Sequence, residues 1–436
     1  MILPPVDSVW LLASNNGVRI MISRENKVDI NYFHRQGLSF REIARKTGTS
    51  KSTLLLNMLV SDIRRGEGLA LIDPHGDLSE QLLDFVPKAR MEDVIFFNPA
   101  DLNYHIAFNP LEQVSPEPGY LVVSNLLSIF HKAWSNYWGP RLEHILRYSL
   151  LTLLEYPGSI LLDLPLLLTN QNYRLIVIKR VEDPMVREFW EFWEFQAGSY
   201  ISQGKMDAVT PILNKIGQLT TSTPLRNILE SKSALSLRRV IDEGKLLIVN
   251  LSKGKIGEDS SAIIGAMLVS MTMLSAMARA DTPEERRRPF YLYVDEFHNF
   301  ITPAFAEMLS ESRKYGLGLI LAHQYIGQLD EKVRSAIFGN AGTIISFRAG
   351  SEDTPLLARE FHQVFGIGDL IALANQSIYI KLMIDGRTSR PFSAITLPPP
   401  TAKNSLKRDI IELARMKWWR CREELASESL QRKLYP

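Results

Sequence analysis

Apolar residues along this chain follow two rhythms. Short apolar runs without polar alternation are spaced between longer stretches of helical periodicity. GLALID (68–73) predicts a strand, LSEQLLDFV (78–86) the helix after it, and DVIFF (93–97) a second strand. From about 115 to 235 helical spacing dominates, most clearly in RLEHILRYSLLTLLEY and GKMDAVTPILNKIGQL. Four apolar runs follow with helices between them: KLLIVNL (245–251), FYLYVDE (290–296), GLILAH (318–323) and TIISFR (343–348). Strands covered on both faces lose the alternation of half-buried strands, as these have. The pattern predicts an α/β domain with a mostly parallel sheet, interrupted by an all-helical insertion. SIYIKLMI and SRPFSAI predict an antiparallel pair with Asp385-Gly386 in the turn, LPPP (397–400) closes the fold, and a charged helix runs to the C-terminus.

These elements divide the chain into an N-terminal segment (1–50), a first part of the α/β domain (51–114), the helical insertion (115–235), a second part of the α/β domain (236–400) and the C-terminal helix (401–436). The aromatic cluster FWEFWEF (189–195) is interleaved with Glu, which repels phosphate, so packing inside the insertion is the expectation rather than base stacking. The uncharged stretch between Asp259 and Arg279 is nearly long enough to span a bilayer, but its Ser, Gly, Ala and Met and its place between two strands predict a buried crossover helix.

Composition narrows the class only a little. In 436 residues, 45% hydrophobic and 22% charged content describe a soluble globular chain. The net charge is +2, but residues 1–50 hold seven Lys/Arg against four Asp/Glu and residues 401–436 nine against five. The ends are thus +3 and +4 and the middle −5 (2 − 3 − 4), which fits nucleic-acid contact at the ends and fits solvated helix faces equally well. One cysteine, Cys421, excludes an intrachain disulfide framework and a Cys-based zinc site, and a reducing cytoplasm is the natural setting. MILPPVDSVWLL has neither the basic start nor the long apolar core of a secretion leader.

The chemistry concentrates at predicted strand ends. FYLYVDEF ends an apolar strand in Asp295-Glu296, two carboxylates at the sheet edge where open α/β sheets bind ligands. In nucleotide hydrolases of this build the Asp holds Mg²⁺ and the Glu orients or deprotonates the attacking water. Gln324, after the next strand, is placed to sense a γ-phosphate or hold water. GTSKST (Gly48, Thr49, Ser50, Lys51, Ser52, Thr53) offers the rest of a phosphate loop: backbone N–H groups, a Lys for phosphate charge and a hydroxyl for Mg²⁺. The full pattern asks for Gly at 45 and 50, where Arg45 and Ser50 stand. The same stretch reads a second way. REIARKTGTSKSTLLL has the form of a helix-turn-helix, with Gly48 in the turn and Lys51 in a DNA-reading helix. DPHGD (73–77) makes a tight turn at the same sheet edge, and His75 has no second ligand nearby in sequence for a metal.

Taken together, KTGTSKSTLL, GLALIDPHGDL, FNPL (108–111), KLLIVNLSKGKIGEDSS, YLYVDEFHNF, AHQYIGQL and GNAGTIISFRAGSED make the chain from Lys46 to Pro400 resemble the type IV secretion and conjugation coupling ATPases (TraD/TraG-like, in the HerA/FtsK superfamily). The resemblance implies a RecA-like P-loop NTPase with ATP and Mg²⁺ as cofactors, a ring, usually a homo-hexamer, that moves DNA, and the type IV secretion machinery as partner. It places the protein in the cytoplasm, peripheral to the inner membrane. It puts Lys51 and Ser52 on phosphate and Mg²⁺, Asp295 on the metal, Glu296 as catalytic base and Gln324 as sensor. It leaves Arg313 and Arg348 as alternative fingers toward a neighbouring subunit's nucleotide. Residues 21–48 resemble something else, the N-terminal helix-turn-helix of an IstA-like insertion-sequence transposase. The chain then reads as a junction inside KTGTSKST, in which the apolar strand expected before the phosphate loop is replaced by LSFREIAR, with GVRIMI (17–22) as a distant substitute. Two functions follow: a motor ATPase with a degenerate phosphate loop, or a non-catalytic DNA-binding fusion.

Overall fold

The computed structural model describes residues 50–112, 119–195, 202–231, 235–309, 311–324, 326–361, 364–384, 387–401, 404–418 and 420–421. Arg45, Gly48, Thr49, GVRIMI and the helix-turn-helix reading of 21–48 lie outside the described residues.

Five strands form the central sheet: β1 (Gly68–Asp73), β2 (Val94–Phe97), β3 (Leu246–Asn250), β4 (Phe290–Val294) and β5 (Leu317–Leu321). Their order is β2-β3-β1-β4-β5 and every pairing is parallel. Every residue of the five strands is buried, which is why their sequences carry no polar alternation. β1 sits at the centre, with Ile72 opposite both Val249 and Val294, so its carboxyl end lies level with the ends of β3 and β4. β5 has one strand neighbour among the described residues, although Leu317, Leu319 and Leu321 are 2% exposed or less.

TIISFR does not join this sheet. β6 (Ile344–Ser346) pairs antiparallel with β7 (Ser377–Lys381), which pairs antiparallel with β8 (Phe392–Ile395) in a separate three-stranded sheet. A three-residue apolar strand cannot reveal which sheet it joins, and the half-buried Ile345 shows a face that is only partly covered. Met383–Ile384 and Arg387–Thr388 pair antiparallel across the turn expected at 385–386.

Helix α1 (Ser50–Arg64) drives Leu55, Leu56, Leu59 and Ile63 into the core, and α2 (Asp77–Leu83) follows β1. Between β2 and β3 come α3 (Gly119–Ala133), α4 (Pro140–Glu155), α5 (Pro184–Phe195), α6 (Ser202–Thr221) and several shorter helices. The aromatic cluster packs in α5: Trp190 is fully buried with its Nε1 donating to Thr152 Oγ1 at 2.7 Å, Phe189 stacks on Tyr148, and Phe192 stays exposed. Helix α7 (Glu258–Met277) packs against α3. Among the described residues it is the one helix long and apolar enough to cross a bilayer, and 89% of its most apolar window is buried within the fold.

α8 (Lys407–Trp418) is fastened by Arg415 to Asp101 and by Lys417 to Glu92, both at 2.8 Å. Arg420–Cys421 then leave the helix and pair antiparallel with Tyr104–His105, where their backbone groups find ladder partners.

Candidate functional site

The carboxyl ends of β1, β3 and β4 lie side by side, and the acids that follow β4 meet the first turn of α1. β4 ends in Asp295, whose N–H donates to the Ile72 carbonyl of β1 at 3.0 Å. The chain then turns through Glu296 in the left-handed region (φ 45°), a conformation that costs a non-glycine residue about 1–3 kcal/mol. Four bonds hold that turn: Glu296 N–H to Asp295 Oδ1 at 3.0 Å, Asn299 Nδ2 and N–H to the Glu296 carbonyl at 2.8 and 3.0 Å, and Phe297 N–H to the Ala322 carbonyl beyond β5 at 3.0 Å. Asp295 and Glu296 are 3% and 4% exposed.

Lys51 meets both acids. Its Nζ lies 2.9 Å from Asp295 Oδ1 and donates to Glu296 Oε1. The neighbouring β1 ends in a third carboxylate, Asp73, which is fully buried and accepts from the N–H groups of His75 at 2.9 Å and Ser79 at 2.8 Å. Gly76 makes that turn with φ 88°, and a Cβ there would stand 2.6 Å from Asn250 Oδ1 at the tip of β3. Burial raises the Asp295 pKa. Glu296 and Asp73 push it the same way, and the Lys51 ammonium opposes them.

Three further groups surround the acid pair. His298 Nδ1 stands 3.6 Å from Glu296 Oε2. Lys253, following β3, donates to Asn299 Oδ1 at 2.9 Å. Lys132 reaches over from α3 to donate to the carbonyls of His298 and Ile301, both at 2.7 Å. Residue 132 is exposed overall, but its ammonium is tucked against those carbonyls, and the desolvation brings its pKa down to about 8.

The predicted site residues are thus placed as follows. Lys51, Asp295 and Glu296 come together. Ser52 and Thr53 lie half-buried in the same helical turn as Lys51, and Ser50 opens the helix. Gln324 is exposed just past the end of β5, and Arg348 is exposed just past β6. Arg313 lies in the turn Ser312–Tyr315, its side chain outside the described residues. Sequence reasoning assigned no site role to Asp73, Lys132, Lys253, His298 or Asn299. His298 and Asn299 stand inside the quoted YLYVDEFHNF, so proximity to the acids was a usable signal. Lys132 arrives from the insertion, 166 positions before His298, and no local pattern marks it.

Helix α1 sets Leu55, Leu56, Leu59 and Ile63 in the core and turns Lys51 onto the acids that follow β4.

With this arrangement in view, solved structures provide a comparison. The unbound conjugative coupling protein TrwB, lacking its first 70 residues, superposes with a TM-score of 0.54 at 17% identity, over 83% of this chain and 85% of that one. The fold is that of TrwB. TrwB bound to ADP and Mg²⁺ gives 0.52 at 16% identity, over 82% of this chain and 85% of that one. VirB4 of Thermoanaerobacter pseudethanolicus, which matches over 92% of this chain and 99% of its own, gives 0.51 at 13% identity. Residues 289–366 match the family model described as the TraM recognition site of TraD and TraG. That segment runs from β4 through the acid pair, β5 and β6 and past the helix Thr354–Glu360, so the TrwB-like fold and the family match meet on the acidic half of the site. No curated protein matches the chain.

Proposed function

We propose that this chain is a nucleotide-dependent motor ATPase of the conjugative coupling type, acting on DNA as a homo-hexamer beside a type IV secretion apparatus, in the cytoplasm at the inner membrane. The observation that carries the proposal is the meeting of Lys51 with Asp295 and Glu296 at one sheet edge. Lys51 serves the nucleotide phosphates, with the backbone of Gly48, Thr49 and Ser50 as the loop around them and Thr53 in the turn beneath. Glu296 orients and deprotonates the attacking water, Gln324 reads the γ-phosphate, and Arg313 or Arg348 reaches a neighbouring subunit's nucleotide.

Mg²⁺ fits the residues present. Among the described residues no group of three His, Cys, Asp or Glu is set to hold an ion unaided. A nucleotide-borne Mg²⁺ asks less, taking one or two protein oxygens and completing its shell with phosphate and water. The Asp295 carboxylate and the Ser52 hydroxyl are hard oxygen donors of that kind, and the bound ion would neutralise charge developing on the phosphates. TrwB itself has been solved with ADP and Mg²⁺.

Titration of Mg-ATP into the full chain tests the assignment: wild type binds, and Lys51→Ala binds at least ten-fold more weakly. Equal binding by the two overturns it. A second reading, a non-catalytic DNA-binding fusion, is supported by Arg45 and Ser50 standing where a phosphate loop carries Gly. Absence of Mg-ATP turnover, together with salt-dependent duplex binding that Lys51→Ala weakens, would select it.

A further inference from the structure

Glu296 has a side chain with two unlike ends. Oε1 accepts from Lys51, while Oε2 is buried and no hydrogen bond from the described residues reaches it. Facing Oε2 at 3.6 Å is His298 Nδ1, likewise buried and likewise without a hydrogen-bond partner among the described residues. Buried polar atoms are almost always paired, so two that face each other a few tenths of an ångström beyond bonding distance mark a contact made in another state of the site. Catalytic hydrogen bonds are often long in the free enzyme and tighten when the reacting complex forms.

The proposed function supplies the reason for such a contact. Among the described residues Lys51 is the one side chain that hydrogen-bonds the Glu296 carboxylate, and it is also the group assigned to the phosphates. Once it turns to them, Glu296 needs another anchor. We propose that His298 is a positioning residue for Glu296, its Nδ1–H closing onto Oε2 to keep the carboxylate aimed while Lys51 serves the nucleotide. The rest of the neighbourhood is built for this. Lys132 fixes the His298 backbone through its carbonyl, and Asn299, itself held by Lys253, fixes the Glu296 carbonyl. Burial lowers the His298 pKa, with Lys253, His323 and Lys132 adding to that and Glu296 opposing it, so the ring is held toward its neutral form with one N–H to place.

This inference rests on Glu296 acting in hydrolysis, and the test keeps the two apart. Steady-state ATP hydrolysis is measured on the full chain for wild type, Glu296→Gln, His298→Leu and His298→Asn. The expected result is a kcat about 10–100-fold lower for His298→Leu with KM for Mg-ATP within about two-fold, the usual scale for removing a residue that orients a functional group. His298→Asn keeps a side-chain N–H near the Nδ1 position and recovers most of kcat. An unchanged kcat in His298→Leu, or an Asn variant as slow as the Leu variant, overturns the inference while leaving Glu296 as base. If wild type turns over no faster than Glu296→Gln, the motor reading fails, and the pairing is then read spectroscopically. Ring ¹⁵N shifts of the eight histidines, in the presence of Mg-ADP, should show the His298 signal moving in Glu296→Gln while the other seven hold. A stationary His298 signal refutes the pairing.

Discussion

The acidic half of the site and its lysine half are built in different ways. Asp295 and Glu296 extend a central strand whose flanks are both paired, and they are backed by the fully buried Phe297 and Phe300. Lys51 comes from the first turn of a helix whose hold on the sheet is by side chains: the apolar face from Leu55 to Ile63, the Tyr293 hydroxyl bonded to Asp62 Oδ2 at 2.5 Å, and Asn57 Nδ2 bonded to the Pro398 carbonyl at 3.0 Å. A strand end inherits its position from the backbone ladder. A helix start inherits its position from packing, and is easier to displace.

Predictions that separate the halves follow in order of size. The largest effect belongs to the acidic half. Glu296→Gln keeps shape and loses the base, and general-base catalysis contributes about 10²–10⁴-fold. Single-turnover ATP hydrolysis should fall by that factor with Mg-ATP affinity retained; a fall below ten-fold would make Glu296 a structural acid. Next comes Lys51→Ala, which removes phosphate contact rather than chemistry. Hydrogen bonds to charged groups are worth about 1.5–3 kcal/mol, so the dissociation constant for Mg-ATP should rise by about 10–100-fold in titration calorimetry. Loss of turnover with unchanged affinity would reverse the roles of the two halves.

A third prediction concerns the joint between them. Tyr293→Phe deletes the bond from β4 to Asp62 of α1 and leaves a buried carboxylate with one donor fewer. Burial, then the nearby Asp62, raises the Tyr293 pKa well above the ordinary value, so the phenol stays protonated and donates at any physiological pH. The loss should cost about 1–3 kcal/mol in denaturant-induced unfolding and weaken Mg-ATP binding as α1 loosens. Unfolding unchanged within error would mean that the apolar face alone seats α1.

The two halves were also unequally legible in the sequence. FYLYVDEF announced itself because a strand buried on both faces has to be continuously apolar, and two acids at its end cannot be there for packing. GTSKST did not, because a helix start rich in Ser, Thr and Lys serves a phosphate loop and a helix-turn-helix alike; what separates the two is the direction of the lysine side chain, and direction is a tertiary fact. TIISFR was assigned to the wrong sheet for a related reason, since a strand of only three residues, Ile344–Ser346, carries no record of which edge it will find. Lys132 is the extreme case, a residue of the insertion whose contact with His298 exists only because α3 packs where it does. Local pattern records what is buried, and says little about what a buried group faces.

The smallest effect is also the one that tests whether the acidic half is strained. Asp73, Asp295 and Glu296 bring three carboxyl groups to adjacent strand tips against one ammonium, and burial with its acidic neighbours raises the Asp295 pKa. A carboxyl whose folded-state pKa is raised adds stability at pH below its ordinary value, and that contribution is lost as pH rises through the folded value. At neutral pH the ionised group therefore works against folding. Asp295→Asn removes that opposition at almost constant volume, and the thermal midpoint of the nucleotide-free chain should rise by about 1–3 °C, the scale of roughly 1 kcal/mol or less in a chain this large. The gain should shrink as pH falls into the acid range, where wild-type Asp295 takes up its proton. A lower midpoint would mean that attraction to Lys51 outweighs burial, making the pair a structural tie. A higher midpoint fits an acid placed for a divalent cation, with Lys51 only partly compensating its charge.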